Sequence, residues 1–159
     1  MVRSAQDQAL LVLARAVVGI STRAADRLGE VTVVQLRALT VLRGLGTANL
    51  RQLAGGMAVT VSTTSRLVDR LVVAGLVERQ PSPRTGREIE LRVGAAGTEL
   101  LDRYDELRLE DLRAGLGRLP EERRADVLAA LLDFGAAAGV RGDTDPGAAR
   151  SATPAGGAV

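Results

Sequence analysis

The sequence predicts a mainly α-helical fold with one small β-hairpin, and two observations support this. Apolar residues recur every three or four positions along most of residues 4–138, as they do on one side of a helix. Residues 88–93 instead alternate polar and apolar side chains after a basic tip at residues 81–87, which is typical of a hairpin. Three helices followed by a basic hairpin, over residues 32–93, form a winged helix-turn-helix.

The first predicted helix runs from about residue 4 to residue 28. Its apolar side chains are spaced by three and four positions, at Leu10, Leu13, Val17, Ile20, Ala24 and Leu28. Gly29 suits the end of this helix. An apolar side of this length needs a partner, either within its own domain or on a second subunit.

The next three helices begin at side chains that suit helix starts. Thr32 and Gln35 have the spacing of a capping box, as do Asn49 and Gln52, and Thr60 suits the N-cap of the third helix. The first two of these helices are predicted to bury an apolar side, formed by Leu36, Leu39, Leu42 and Leu45, then by Leu50, Leu53, Ala54 and Met57.

Two further helices are predicted after the hairpin. The residues from Ala95 to Thr98 lead into the first of them. Pro120 and the acidic residues after it suit the start of the last helix. From residue 141 the chain is rich in Gly, Ala, Pro, Ser and Thr, so residues 141–159 are expected to be a disordered tail.

The helix over residues 61–74 has the side chains of a DNA-reading helix. With Thr64, Leu67, Val68 and Leu71 buried, a rotation of ~100° per residue turns Ser62, Thr63, Ser65, Arg66 and Arg70 outward or to the flanks. Hydroxyls suit bases or phosphates, Arg66 suits guanine, and Arg70 suits phosphate. Asp69 is expected to hold one of these arginines or to lie at the edge of the contact. Any amphipathic helix has a polar side, but the neighbouring helix and hairpin favour DNA binding.

The distribution of charge agrees with this placement. Residues 48–93 carry seven Arg and four acids (7 − 4 = +3), whereas residues 98–133 carry six Arg and ten acids (6 − 10 = −4). Arg84 and Arg87 lie at the hairpin tip, where they are expected to contact phosphate or the minor groove. The alternative is that they are ordinary solvated loop residues.

Composition excludes several classes of site. The chain has 159 residues and contains neither Cys nor His, so it has no disulfide, no thiol redox centre, no zinc site built from those ligands and no histidine acid–base chemistry. No nucleophile–base arrangement or phosphate-binding Gly loop indicates an enzyme, and no cofactor or metal is predicted. No run approaches about 18 uncharged apolar residues, so we expect no membrane span and a cytoplasmic protein.

The chain resembles the MarR family of bacterial transcriptional regulators from about residue 10 to residue 132. The resemblance rests on LRQLA at residues 50–54, VTVSTTSRLVDRL at 59–71, GLVER at 75–79 and LPEER at 119–123. It implies one domain over residues 1–140, in which helices at about 4–28 and 95–138 form a homodimer and residues 32–93 bind DNA. It also implies a pseudo-palindromic operator, with helix 61–74 in the major groove and the wing, residues 81–88, at the minor groove.

The resemblance further implies a repressor that releases DNA when a small lipophilic or aromatic acid binds. Candidate ligand-pocket residues are Arg15, Arg43 and Tyr104, with Arg23 as a further one; the alternative is that the arginines are surface residues and Tyr104 is packing. The family's wing usually has Asp where this chain has Thr85, so the carboxylate that commonly orients the wing arginine, here Arg87, is missing. After the wing the family usually has Leu-Thr where this chain has Val93-Gly94; the loss of the Thr cap implies that the next helix begins late, at Thr98. The function left open beside DNA binding is a winged-helix protein-interaction module with weak or no DNA binding.

Overall fold

The computed structural model describes residues 4–82 and 88–139. Within those residues it contains α1 (Ala5–Leu28), α2 (Val33–Leu45), β1 (Thr47–Ala48), α3 (Leu50–Met57), α4 (Val61–Val73), β2 (Val77–Pro81), β3 (Ile89–Val93), α5 (Ala95–Gly117) and α6 (Glu121–Ala137). The predicted fold class, mainly α with a small β wing, is therefore confirmed. The chain divides into two compact units, Met1–Pro120 and Glu121–Val159. The single domain over residues 1–140 stays a prediction, and the predicted disordered tail lies outside the described residues.

The helix starts predicted at Thr32, Asn49 and Thr60 are confirmed. The Thr32 hydroxyl accepts from the Gln35 N–H at 3.2 Å, and the Gln35 side chain accepts from the Thr32 N–H at 2.8 Å. Asn49 and Gln52 make the same reciprocal pair, at 2.9 Å in both directions. Thr60 accepts from the backbone of α4. These caps satisfy N–H groups that have no partner within their own helix, and so they fix where each helix begins.

The core of the first unit is aliphatic. Its fully buried side chains come from α2, α3, α4, β3 and α5, and the largest are Leu36, Leu39, Leu42, Leu53, Leu71, Leu91, Leu101 and Val68. The sequence places Leu45 on the same buried side, but in the structure Leu45 is 45% exposed. That expectation is wrong because nine residues at ~100° each turn Leu45 to the opposite side of the helix from Leu36.

A three-stranded antiparallel sheet, in the order β1-β3-β2, joins the hairpin to the helices. Glu78 of β2 lies opposite Arg92 of β3, and Arg79 lies opposite Leu91. The two-residue strand β1 pairs with the other edge of β3, and it is too short to show a periodic pattern in the sequence. Because β3 is paired on both sides, the base of the hairpin has a defined position beside α4.

Helix α5 begins at Ala95, not at the expected Thr98. Gly94 is its N-cap and makes no side-chain capping bond, but its N–H donates to the Leu76 carbonyl at 2.9 Å. Gly97 lies so close to the start of β2 that an added Cβ would be 2.2 Å from the Leu76 carbonyl oxygen. Tertiary contact with the strand therefore replaces the missing cap and fixes the first turn of α5.

Helix α1 is long and apolar enough to cross a membrane, by length and composition only. However, it packs on α5. Arg23 pairs with Asp111 at 2.9 Å, and Arg27 pairs with Glu110 at 2.8 Å. These ion pairs and the buried end of the helix, Ala24 to Leu28, assign α1 to the fold of the first unit.

Helix α6, in the second unit, buries none of its residues. Its larger apolar side chains are at least 46% exposed, namely Leu128, Leu131, Leu132 and Phe134. The predicted helix is therefore present, and its apolar side chains are exposed to solvent.

Candidate nucleic-acid interface

Helix α4 packs with one side on the core and presents the other to solvent. Its buried side is formed by Thr64, Leu67, Val68 and Leu71, as predicted. The Thr64 hydroxyl, fully buried, donates to the Thr60 carbonyl at 3.0 Å, so it leaves no unsatisfied polar group in the core. This packing against α3 and β2 fixes which side chains of α4 face outward.

The start of α4 carries a cluster of hydroxyl groups. The Thr60 hydroxyl lies 3.1 Å from that of Ser62 and 2.9 Å from that of Thr63. Ser62 and Thr63 are exposed, and Ser65 is half-buried. The positive end of the helix dipole lies at the same place. Hydroxyls held at this end of a helix can both donate to and accept from bases or phosphates.

Both arginines predicted to contact DNA are on the exposed side of α4. Among the described residues, the Arg66 guanidinium makes no hydrogen bond or ion pair. The Arg70 Nε donates to the Arg66 carbonyl at 3.3 Å, which turns its side chain back along the helix. Arg66 is therefore ready for an external acceptor, while Arg70 is partly held by its own helix.

Asp69 has a different partner from those expected. Its carboxylate accepts from Arg79 of β2 at 2.5 Å, and within the described part of the chain it pairs with neither Arg66 nor Arg70. The expectation that Asp69 holds one of those two arginines is therefore wrong. The reason is tertiary: Arg79 is ten residues away in sequence, and only the turn between α4 and β2 brings it alongside. Arg79 is not among the residues predicted to have a role, because no local spacing signals this pair.

The base of the hairpin is held by polar contacts, while its tip lies outside the described residues. The Ser82 N–H donates to the Glu88 carbonyl at 2.7 Å, and its hydroxyl donates to Glu90, also at 2.7 Å. Arg92 pairs with Glu78 across the two strands at 2.6 Å. The sites predicted at Arg84 and Arg87, and the departure at Thr85, fall on the undescribed tip and stay predictions.

The candidate ligand-pocket residues differ in their exposure and in their partners. Tyr104 is buried, and its hydroxyl donates to the Ser21 carbonyl at 3.2 Å. Arg43 bonds to Asp105 at 2.7 Å and approaches Asp102 at 3.5 Å, whereas Arg15 is exposed. Their proposed part in ligand binding stays a prediction.

An open cleft of about 490 Å³ lies between α1 and α5. It is lined by Arg27, Leu28, Asp102, Arg103, Glu106 and Leu107. None of the candidates Arg15, Arg43 and Tyr104 lines it. Within residues 4–82 and 88–139, no group of three or more acidic side chains is arranged to hold a metal ion.

Comparison with known proteins gives a consistent result. A model of the MarR family matches residues 31–89. The chain is 32% identical over 109 residues to Mb0904, an uncharacterized HTH-type transcriptional regulator of Mycobacterium bovis, covering 65% of this chain and 76% of that protein. The crystal structure of RV1404 from Mycobacterium tuberculosis superposes with a TM-score of 0.78 at 29% identity, covering 89% of this chain and 99% of that one.

A further solved structure is similar in fold. It is a point mutant of MepR from Staphylococcus aureus, bound to an oligodeoxyribonucleotide, which superposes with a TM-score of 0.63 at 16% identity. The match covers 86% of this chain and 99% of that chain.

Proposed function

The chain belongs to the MarR family of DNA-binding transcriptional regulators, and from this premise we propose that it is a homodimeric, ligand-responsive repressor. In this proposal the dimer binds a pseudo-palindromic operator. Each α4 enters a major groove, and each wing, residues 81–88, lies at the adjacent minor groove. In this proposal the protein acts in the cytoplasm.

The exposed side of α4 is the observation that carries the proposal. It combines hydroxyls at the start of the helix, Ser62 and Thr63, with the guanidinium of Arg66 one turn further on, which has no partner among the described residues. Ser65 and Arg70 flank this surface and are suited to backbone phosphates. An arginine without an intramolecular partner can bond to the O6 and N7 atoms of guanine without first breaking an ion pair. A protein of the same fold, the MepR mutant, is bound to an oligodeoxyribonucleotide, which supports the proposal that this chain binds DNA.

The exposed apolar side chains support a homodimer. Leu10, Val12 and Val18 of α1 are 51%, 64% and 64% exposed, and Leu132 of α6 is 76% exposed. Apolar surface of this kind is usually covered by a partner. A two-fold dimer would cover the exposed side chains of α1, and separately those of α6, with a second copy, and would match the symmetry of a pseudo-palindromic operator.

The open cleft between α1 and α5 supports a response to a small molecule. Its volume of about 490 Å³ lies within the ~300–1,000 Å³ of typical ligand sites. Leu28 and Leu107 offer apolar contact. Arg27 and Arg103 are the cations of the lining; they pair with Glu110 at 2.8 Å and with Glu30 at 3.2 Å, so an acidic ligand would have to displace one of these carboxylates. We therefore propose a small lipophilic or aromatic acid as the effector, with Arg15, Arg43 and Tyr104 as further candidates that a ligand screen should include.

The second candidate function is a winged-helix module that binds protein and has little or no DNA affinity. The observation in its favour is Thr85, which occupies the place where the family's wing usually has Asp. The two functions differ in their salt dependence, because binding through phosphate contacts weakens steeply as salt rises.

Selection from a pool of randomised duplexes tests the proposed function. The full-length protein should enrich one pseudo-palindromic sequence whose half-sites lie about one helical turn apart, roughly 34–36 Å. If the pool shows no enrichment at low salt and the protein nevertheless folds, the protein-interaction module becomes the better account.

A further inference from the structure

The ion pair between Asp69 and Arg79 lies where a carboxylate is unfavourable for DNA binding. Asp69 is on the exposed side of α4, between Arg66 and Arg70, and its side chain is 55% exposed. A phosphate approaching this side meets a negative charge. A carboxylate three residues after Arg66 is also a neighbour of that guanidinium on the helix surface, so it competes with DNA for it.

In the structure, Asp69 pairs with an arginine of the neighbouring strand and not with Arg66. Arg79 extends from β2 and donates to Asp69 at 2.5 Å, with its own side chain 37% exposed. The register of β2 with β3 sets the position of Arg79, since Arg79 lies opposite the buried Leu91. The carboxylate is thus bonded from the side of the sheet, and Arg66 stays without a partner in the described ranges.

We propose that Arg79 is a positioning residue: by holding Asp69 on the strand side, it neutralises that carboxylate and keeps Arg66 free to read a base. This inference rests on the proposed function, because it concerns the same helix. It means that a residue of β2 helps to set which DNA sequence α4 prefers. It also predicts that removing Arg79 does harm only while Asp69 keeps its charge.

The test is a double-mutant cycle in the full-length protein. The probe is the duplex that the wild-type protein enriches from the randomised pool, and a scrambled duplex of equal length gives the non-specific affinity. Arg79→Ala should weaken binding to the enriched duplex about five-fold, the upper range for an exposed ion pair, and should lower the ratio of specific to non-specific affinity. Asp69→Asn alone should bind at least as tightly as wild type, since it removes a negative charge without changing shape.

The double variant Asp69→Asn/Arg79→Ala shows whether Arg79 acts through Asp69. The proposal expects it to recover the affinity and the sequence preference of Asp69→Asn alone. If it binds as weakly as Arg79→Ala, the proposal is overturned, because Arg79 then either contacts phosphate itself or only braces the helix. If the ion pair only stabilises the position of the helix, Asp69→Asn alone would also weaken binding.

Two controls keep the cycle interpretable. Arg92→Ala breaks the pair with Glu78 in the same sheet, so it removes one positive charge and one ion pair without reaching Asp69. It should leave the sequence preference unchanged. Arg79→Gln serves as a second variant that keeps a polar side chain if Arg79→Ala unfolds. If the wild-type protein enriches no duplex, the proposed function itself is contradicted. That result differs from one in which the wild-type protein enriches a duplex but the double variant does not recover its affinity.

Discussion

Replacing Arg66 by alanine should weaken operator binding while leaving the fold intact. The Arg66 side chain is exposed and makes no hydrogen bond or ion pair with any described residue. Alanine also has slightly better helix propensity. The free energy of unfolding should therefore change by no more than about 0.5 kcal/mol.

The expected decrease in affinity follows from the number of copies of Arg66 at the operator. One bidentate contact between arginine and guanine contributes about 1–3 kcal/mol of discrimination. A homodimer presents two copies of Arg66, so binding should weaken by about 2–6 kcal/mol if both half-sites are engaged. The lower end already corresponds to roughly 30-fold in Kd. A decrease of only about 1 kcal/mol would indicate that one half-site carries the contact.

Fluorescence anisotropy with labelled enriched and scrambled duplexes measures this change in affinity. The matched control is Arg118→Ala, which removes the same charge at the end of α5, away from α4. An Arg66→Ala variant that keeps its preference for the enriched duplex would refute the base-reading role. An equal decrease on both duplexes would instead place Arg66 on phosphate.

Three further predictions concern the wing, the packing of α5 and the dimer. Arg87→Ala should weaken binding to every duplex and reduce the slope of log K against log salt by about one for each phosphate no longer bound, measured by titration at several salt concentrations; an unchanged slope would contradict a wing contact. Gly97→Ala should lower the free energy of unfolding by about 1–3 kcal/mol, because its Cβ would lie 2.2 Å from the Leu76 carbonyl oxygen. Gly115→Ala on the same helix meets no atom within 4 Å and should instead be neutral or stabilising; equal denaturation curves for the two would refute the close approach. Leu132→Asp should shift the sedimentation coefficient from dimer towards monomer, whereas an unchanged dimer would exclude this part of α6 from the interface.

The helix starts at Thr32 and Asn49 and the buried side of α4 could be predicted because they depend on residues close together in the sequence. The capping pairs Thr32–Gln35 and Asn49–Gln52 lie three residues apart, and both form the expected bonds. The buried side of α4 likewise follows from the helical repeat, which turns Thr64 and Leu67 to the same side. The chemistry that decides these features lies within one or two turns, so it can be read from the sequence.

The features that could not be predicted depend on contacts between distant residues. Helix α5 begins three residues earlier than expected because Gly94 bonds to the Leu76 carbonyl, eighteen positions away. Gly56 has no explanation in the sequence, but an added Cβ there would lie 2.6 Å from Val41 of α2, so the two helices approach closely at that point. The partner of Asp69 is a strand residue for the same reason.

The most direct test of the account is a titration of the purified protein against the intergenic DNA beside its own gene. Fluorescence anisotropy would follow binding at two salt concentrations, with scrambled DNA as competitor. A sequence-specific regulator should bind tightly, resist the competitor and lose affinity steeply as salt rises. Binding no tighter than to scrambled DNA would argue against an operator beside its own gene, and the same result for the duplex enriched from the random pool would contradict a sequence-specific regulator.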